Sequence, residues 1–578
     1  MIRQVRVDGR RDLRALPVAL AVWTGQLAGN RLVDMLEGSA TVTRVTFWCA
    51  AAGFIMLFGG IGAAVAYRYR YARRPGPVSN VSCPSYAGMV MLLTVAGLLV
   101  GVFTVHAHRQ SQAHDPAIRY SQSDTATLVS MEASVNTPLT ASSVRGYDCQ
   151  ADIIITRFNA GRSHAPARVF AVGQQCASLD HGMRVRFQAS LSPARYGSQP
   201  VWATDMTALT IISQPNVPRA LANRMRHRFV ATTARLSDQG RILVPGVTCG
   251  MLGQSYAGPA DTGEIDTTYA NQVEQEFRDA GIMHLMAVSG GHFILIAQLV
   301  LWACAACRMP RWAAALAVLI AYHGLAGLVY PSHSVLRALA MGWFSSLAML
   351  AGRRHQAVSA LSWSVILILV IDPSKATSYG FALSAAAVLG ITLLNEPIER
   401  LLARRLPRTL AQAVSITIAA QALTLPIQIL MEPSIPLLST LANLLVAPFV
   451  SWSTITGLIA LILAPFAPPI AFAAAWLSSC GTAVMAWVAH ACGSPAWASL
   501  AWPSGIRGSL LALAAAIMMM SIIAAACRLR GNGTGTRYRR PAGERITTWL
   551  AETRAMLDDS WQSTPRTDTS PPTSQPPA

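Results

Sequence analysis

Charged residues are scarce in this chain. Only 13% of its 578 residues are Asp, Glu, Lys or Arg, whereas 52% are hydrophobic. Acidic residues are the scarcer sign, with 27 Asp and Glu against 46 Lys and Arg, so the formal net charge is +19. A soluble domain normally carries about 25% charged residues. The composition therefore excludes an ordinary soluble protein and favours one built largely inside a membrane.

Motifs for enzymatic chemistry are missing as well. The sequence contains no G-x-x-x-x-G-K-[ST] loop, no H-E-x-x-H and no G-x-S-x-G, so the usual equipment for ATP hydrolysis and membrane proteolysis is absent. The ten cysteines show no paired C-x-x-C spacing, and Cys304 and Cys307 form a lone C-x-x-C. We therefore expect no metal, no cofactor and no enzymatic activity.

Apolar runs of about 20 residues recur along the chain, and each is long enough to cross a bilayer as a helix. If all twelve cross, the arginine clusters between them fall on one side, as the positive-inside rule requires. The sequence thus predicts a polytopic α-helical protein of the cytoplasmic membrane, in contact with lipid and with both termini in the cytoplasm. The spans lie near 15–29, 45–66, 86–106, 281–305, 311–330, 332–351, 356–372, 379–395, 410–431, 441–464, 468–490 and 507–527.

The one long polar insertion is expected to fold outside the membrane. Five strand-like runs occupy about 90 residues between Gly, Ser, Asn and Pro, which predicts an extracytoplasmic OB-like β-domain over 107–215. Its two cysteines, Cys149 and Cys176, can form a disulfide outside the cytoplasm, although two separate buried thiols remain the alternative. The runs are TLVSMEASV, CQADIIITRF, ARVFAVG, MRVRFQASL and VWATDMTALTII.

An OB-like barrel suggests a single-stranded nucleic acid as ligand. Arg184, Arg186 and Trp202 are the candidate contacts on its strands, but an aromatic residue on a strand more often belongs to the core. The charge evidence is weak, because residues 107–215 contain nine basic and seven acidic residues.

A basic amphipathic helix opens the linker that follows the insertion, residues 216–280. Its arginines, among them Arg224 and Arg228, occur without any acid in VPRALANRMRHRFVATTARL. Such a helix either lies at the lipid interface with its arginines reaching water or contacts a polyanion that enters the membrane.

The fourth predicted span carries polar residues that a lipid-facing helix would not tolerate. His284, Ser289 and His292 can share one side of a continuous helix, and the pair Gly290 and Gly291 can break the helix or allow close packing. We interpret these residues as lining a wet path through the protein. The alternative is that they form hydrogen bonds with neighbouring helices.

Two further features point into the same apolar region. Arg337 lies near the start of a predicted span and must avoid lipid, either on a functional pathway or in a structural ion pair. Asn443 lies in QALTLPIQILMEPSIPLLSTLANLLVAPFVSW, whose prolines predict a kinked helix followed by a hairpin or re-entrant piece.

These segments resemble the ComEC competence-protein family, the permeases of natural transformation. The resemblance is carried by FRDAGIMHLMAVSGGHF, SVLRALAMGW, DPSKATSYGFALSAAAVLG and LTLPIQIL…STLANLLVAPFVSW. The family has a His-Leu-Leu-Ala-Ile-Ser-Gly-Leu-His run where this chain has 284–292. His284, Ser289, Gly290 and His292 therefore carry over, whereas Gly291 departs from the usual Leu.

The resemblance implies a channel that imports single-stranded DNA, with an external OB-like domain that handles the DNA. It also implies separate partners, namely a DNA receptor, a cytoplasmic ATP-driven helicase or translocase and a nuclease, and it leaves a homo-oligomer open. Many members end in a metallo-β-lactamase-like domain with an H-x-H-x-D-H run. Since His106 and His108 are not followed by Asp-His, this chain is expected to lack that domain.

Two rival functions remain open at this point. One is a secondary transporter or another non-DNA membrane protein with an external binding domain, and the other is a structural scaffold. The expected domains are N-terminal helices, the OB-like domain, an interfacial linker, the channel domain and a cytoplasmic, partly disordered tail, over 1–106, 107–215, 216–280, 281–527 and 528–578.

Overall fold

The fold is seen in a computed structural model, which describes residues 13–36, 84–123, 127–159, 161–258, 265–353, 356–495 and 497–530. Residues Met1–Met518 form one unit, and the packing described below lies within it. Every predicted span within the described ranges falls at least partly on a helix. The predicted span near 45–66 lies outside them.

Two N-terminal helices, α1 Leu16–Leu36 and α2 Pro84–His114, run parallel to each other. Val18 lies against Gly97 near one end of the pair, and Gly29 lies against Val102 further along both helices. A Cβ on Gly25 would come within 2.3 Å of the Leu98 carbonyl oxygen, so this position requires glycine. Small residues at such spacing allow two helix backbones to pack closely in a membrane.

A closed five-stranded barrel follows, introduced by α3 Pro116–Ser121. Its strands pair in the order β1, β6, β7, β5, β3 and back to β1, and every pairing is antiparallel except that of β5 with β7. This topology confirms the predicted OB-like barrel. The strands are β1 Val129–Val135, β2 Thr140–Ala141, β3 Cys149–Phe158, β4 Gly161–Arg162, β5 Pro166–Ala171, β6 Arg184–Pro193 and β7 Val201–Ser213.

Alternation of buried and accessible residues along the strands fills the barrel. In β3, Ala151, Ile153 and Ile155 point inward, while the residues between them are partly accessible. A disulfide joins Cys149 at the start of β3 to Cys176 in the short helix α4 Gln174–Ser178. It closes the connection between β5 and β6 against the barrel wall.

Three helices, α5 Val217–Thr233, α6 Asp238–Cys249 and α7 Thr267–Asp279, link the barrel to the bundle. With only 12 residues, α6 is too short to span a bilayer. It is nevertheless buried, because Gly240 abuts Ser479 and Thr248 abuts Gly457. This part of the predicted interfacial linker therefore packs inside the bundle.

The second half of the chain is a helical bundle. Its helices are α8 Gly290–Ala306, α9 Arg311–Leu328, α10 His333–Leu350, α11 Ala357–Ile371, α12 Tyr379–Leu402, α13 Arg408–Met431, α14 Ser439–Leu463, α15 Pro468–Gly493 and α16 Gly505–Arg530. Between α13 and α14, β8 Ser434–Pro436 pairs with β9 Ser499–Ala501. The hairpin that the prolines predicted does not form locally, because the partner of β8 is a strand that follows α15.

Within the described ranges, six helices are long and apolar enough to cross a membrane. They are α9, α12, α13, α14, α15 and the Val90–His114 part of α2. The helices α8 and α11 and the Gly505–Met519 part of α16 are apolar but shorter. The protein is thus a helical membrane protein with an OB-like domain.

Candidate functional site

The segment before α8 is not α-helical, contrary to the prediction of a continuous span from residue 281. Met283–Met286 form a single 3₁₀ turn, Gly281 has a φ of +70°, and α8 begins only at Gly290. Ser289 is the N-cap, and its Oγ accepts a hydrogen bond from the Gly291 amide at 3.3 Å. His284 and His292 therefore do not share one helix face. We call residues 281–289 the entry loop.

His292 is buried and structural. Its Nδ1 accepts the Ser289 amide at 3.1 Å, so its Nε2 carries the proton and donates to the Val247 carbonyl at 3.2 Å. The same nitrogen lies 3.3 Å from the Thr454 hydroxyl. The predicted lining role of His292 is thus corrected, because both ring nitrogens are occupied in ties from α8 to α6 and α14.

His284, in contrast, is an exposed residue of the entry loop. Ala287 on the same loop and Gly291 in the first turn of α8 are also accessible.

Arg337 in α10 is 4% exposed. Its Nε donates to Ser384 Oγ at 2.7 Å, and its Nη1 lies 3.1 Å from Met341 Sδ. None of the described carboxylates pairs with it, so the predicted alternative of a structural ion pair does not hold among these residues. A Cβ built on Gly290 would lie 3.3 Å from its Nη2. The cation thus faces the start of α8.

A second polar cluster holds the other side of the entry loop. Gln421 in α13 donates to Ser439 Oγ at 2.6 Å, and Ser439 donates to the Gly281 carbonyl at 3.3 Å. Asn443 donates to the carbonyl of Ser439, one turn earlier in its own helix, at 2.8 Å. It is partly buried, and its amide therefore supports the cluster locally.

Sequence reasoning missed Ser384 and Ser439, the partners that place these groups. Both are small hydroxyl residues on otherwise apolar helices, a type that also occurs at ordinary helix contacts. The quoted motifs contained both residues, but nothing in their spacing distinguished them from the neighbouring serines. Only the fold shows which serine meets Arg337 and which meets the entry loop.

A groove of about 340 Å³ lies between the barrel and α5. It brings together the predicted contacts Arg224 and Arg228, which are both exposed, with Asn223, His227 and the barrel residue Asp180. The two arginines lie four residues apart on one face of α5. This groove presents cations next to the barrel.

The three candidate DNA contacts on the barrel differ in exposure and in their partners. Arg184 is exposed, whereas Arg186 forms a 2.6 Å ion pair with Glu132, whose pKa this hydrogen bond lowers. Trp202 is 7% exposed and meets Phe170 and Tyr196 edge to face, with ring centroids 5.3 and 4.7 Å away. Its predicted contact with DNA bases is corrected, because a buried ring cannot stack on a base.

A hydrogen-bonded network joins the barrel to α5. His227 lies 3.0 Å from Asp180 Oδ2 through Nε2 and 2.6 Å from the Tyr256 hydroxyl through Nδ1. Arg226 Nη2 donates to the Nδ1 of His181 at 3.4 Å. Burial, together with the Arg226 charge, lowers the pKa of His181 from 6.5 to about 4. No motif in the sequence indicated this junction.

Residues 262–529 match the competence-protein family model. We call this part of the chain the competence domain, because it is similar to that family. Among curated proteins, it is similar to the ComE operon protein 3 of Bacillus subtilis, 22% identical over 45% of this chain and 31% of the relative. It is also similar to the competence protein ComA of Neisseria gonorrhoeae, 30% identical over 43% of this chain and 35% of the relative.

The protein YcaI of Escherichia coli, uncharacterized by its name, is 28% identical over 34% of this chain and 28% of its own length. The match to each of the three relatives spans about a third of their length or less. No solved structure matches the chain. The entry loop, Arg337, Ser384 and the cluster around Ser439 all lie inside the competence domain.

Proposed function

We propose that this chain forms the passage through which a single strand of DNA crosses the cytoplasmic membrane in natural transformation. The observation that carries the proposal is Arg337, a buried cation without a described counter-charge, beside the entry loop inside the competence domain. An unpaired charge in a low-dielectric bundle is costly and marks a path for a charged ligand. Polar groups on the entry loop supply hydrogen bonds along that path.

The barrel and α5 receive the strand before it enters the bundle. Arg224 and Arg228 line the groove beside the barrel and can contact successive phosphates. The barrel itself contributes fewer free cations, because Arg168 and Arg186 pair with Asp152 and Glu132. In this proposal the groove, rather than stacking on Trp202, captures the strand.

The proposed topology has twelve spans, an external barrel and both termini in the cytoplasm. In this topology α1 and α2 are the first and third spans, which cross the membrane in the same direction. Their parallel packing agrees with that arrangement. A separate DNA receptor, a cytoplasmic ATP-driven translocase and a nuclease complete the pathway, and the chain itself performs no catalysis. Assembly as a homo-oligomer is compatible with this arrangement.

Uptake of labelled DNA tests the proposal. A deletion strain should bind DNA at its surface but fail to accumulate label in the cytoplasm, and restoring this chain should return import. The control is an equally expressed chain with Gln298→Ala, an exposed change on α8 outside the entry loop. Normal import in the deletion strain would contradict the proposed function.

A secondary transporter is the second candidate, and the paired charges of the barrel favour it. Such a protein would show saturable flux of a small solute and no dependence on DNA. The same deletion strain distinguishes the two functions, because a transporter mutant would import DNA normally.

A further inference from the structure

The start of α8 and the side chain of Arg337 bring two positive features together inside the bundle. The helix α8 has 17 residues and begins directly after the entry loop. The positive end of its helix dipole therefore lies at that loop. The Arg337 guanidinium lies beside Gly290, the first residue of that helix. Two adjacent positive features repel each other unless an anion lies between or beside them.

Hydrogen bonding leaves one end of the guanidinium free. Ser384 and Met341 occupy Nε and Nη1, and the Ser334 hydroxyl in turn donates to Ser384 at 3.0 Å, which fixes this arrangement. Nη2, the nitrogen nearest Gly290, has no hydrogen-bond partner among the described residues. Arg337 is thus only 4% exposed, and its guanidinium is held through Nε and Nη1, whereas Nη2, on the side that faces α8, makes no such bond within the described part of the chain.

Glycine at position 290 fits this arrangement. Any side chain would place its Cβ 3.3 Å from Nη2, a distance at which the guanidinium has to move. The neighbouring Gly291 differs, because its Cβ would make only ordinary contact with Ser289 Oγ at 3.4 Å. The chain therefore offers two adjacent glycines, of which only one borders the cation.

We infer that Arg337 and the N-terminus of α8 together bind one phosphodiester group of the passing nucleic-acid strand. A guanidinium and a helix N-terminus are two established partners of phosphate oxygens. The inference rests on the proposed function and adds a defined subsite within it. A phosphodiester also occurs in phospholipids, so the experiment has to separate the two sources.

Equilibrium binding to the full chain in a phosphate-free maltoside detergent tests the subsite. The probe is a 12-nucleotide oligothymidylate, with its methylphosphonate analogue as the uncharged comparison. Arg337→Gln should weaken binding of the phosphodiester probe about tenfold, as expected for a charged hydrogen bond. It should also reduce the slope of log affinity against log salt by about 0.7, the value for one phosphate contact on a single strand.

Gly290→Ala keeps the arginine but displaces its guanidinium, so it should weaken binding several-fold, whereas Gly291→Ala should bind as the unmodified chain does. This pair keeps the test decisive even if Arg337→Gln does not fold. Binding of the methylphosphonate probe should be the same for all folded variants. An unchanged salt slope in Arg337→Gln, or equal effects of the two alanines, would overturn the subsite.

The lipid source is tested by mass spectrometry of the same preparations. A phospholipid retained by the unmodified chain and lost in Arg337→Gln, with an unchanged oligonucleotide slope, would overturn the assignment to the DNA strand. Failure of the subsite differs from failure of the proposed function. In the first case the restored strain still imports DNA, and in the second it imports none beyond the deletion strain.

Discussion

At the scale of single residues, His292 makes the sharpest prediction. His292→Ala removes the ring that receives the Ser289 amide and donates to the Val247 carbonyl. Leaving these groups without partners should cost about 1–3 kcal/mol of stability. We expect a lower melting temperature in detergent and unchanged DNA import per folded molecule. Loss of import at normal stability would instead place His292 on the path of the strand.

Only part of the site could be predicted from the sequence, because the direction of each side chain depends on the local backbone structure. Apolar neighbours showed that Arg337 must face protein, because lipid excludes a charge. His284 and His292 looked equivalent in the sequence, yet an N-cap at Ser289 separates an accessible loop residue from a buried helix residue. Trp202 was ambiguous for the same reason, since a strand aromatic faces inward or outward according to a register that the barrel sets.

At the scale of elements, the disulfide should stabilise the barrel. Replacing Cys149 and Cys176 by alanine opens a link across 27 residues, and loop-closure entropy suggests a loss of about 3–4 kcal/mol. Hydrogen exchange of the amides in β3 and β5 should accelerate in this variant, while the amides of α14 exchange as before. If the substitution changed exchange in β3 and β5 no more than in α14, the disulfide would contribute little to the stability of the barrel.

The junction between the barrel and α5 should weaken in acid. The folded protein keeps His181 neutral down to about pH 4, whereas the unfolded chain protonates it near 6.5. Its contribution is therefore complete above pH 6.5 and falls as the pH drops toward 4. Because His181 is partly exposed, solvent screening reduces the expected loss in the free energy of unfolding to about 1–2 kcal/mol.

Hydrogen exchange in β6 and α5 at pH 7 and pH 5 measures this loss. His181→Asn should flatten the difference between the two pH values, and His164→Asn, an exposed change on the same barrel, should retain it. An unmodified chain whose β6 and α5 exchange equally at both values, after correction for intrinsic rates, would contradict the assignment.

Elements were more predictable than residues because their signals are repeated. Each of the five strand-like runs became a strand, since alternation and turn residues agree along the whole barrel. The fourth span failed locally, where Ser289 and two glycines ended the helix that hydropathy alone would continue. Likewise, α6 is apolar because neighbouring helices bury it. Hydropathy cannot distinguish burial by protein from contact with lipid.

At the scale of the whole molecule, the proposed topology has the barrel on the extracytoplasmic side of the membrane and the turn between α8 and α9 in the cytoplasm. In intact cells an impermeant thiol reagent should label Ser198→Cys, an exposed position between β6 and β7. The native Cys307 is exposed in the turn after α8 and should react only after permeabilisation. The reverse pattern would invert the arrangement.

The central claim, that a DNA strand passes along the entry loop, is tested most directly by crosslinking during import. A photoreactive amino acid at Ala287, accessible beside His284, should form an adduct with labelled DNA in importing cells. The matched position is Ile320 on α9, which is 64% exposed on an apolar helix and should form none. DNA that reaches the cytoplasm without an adduct at Ala287, or with equal adducts at both positions, would contradict this account.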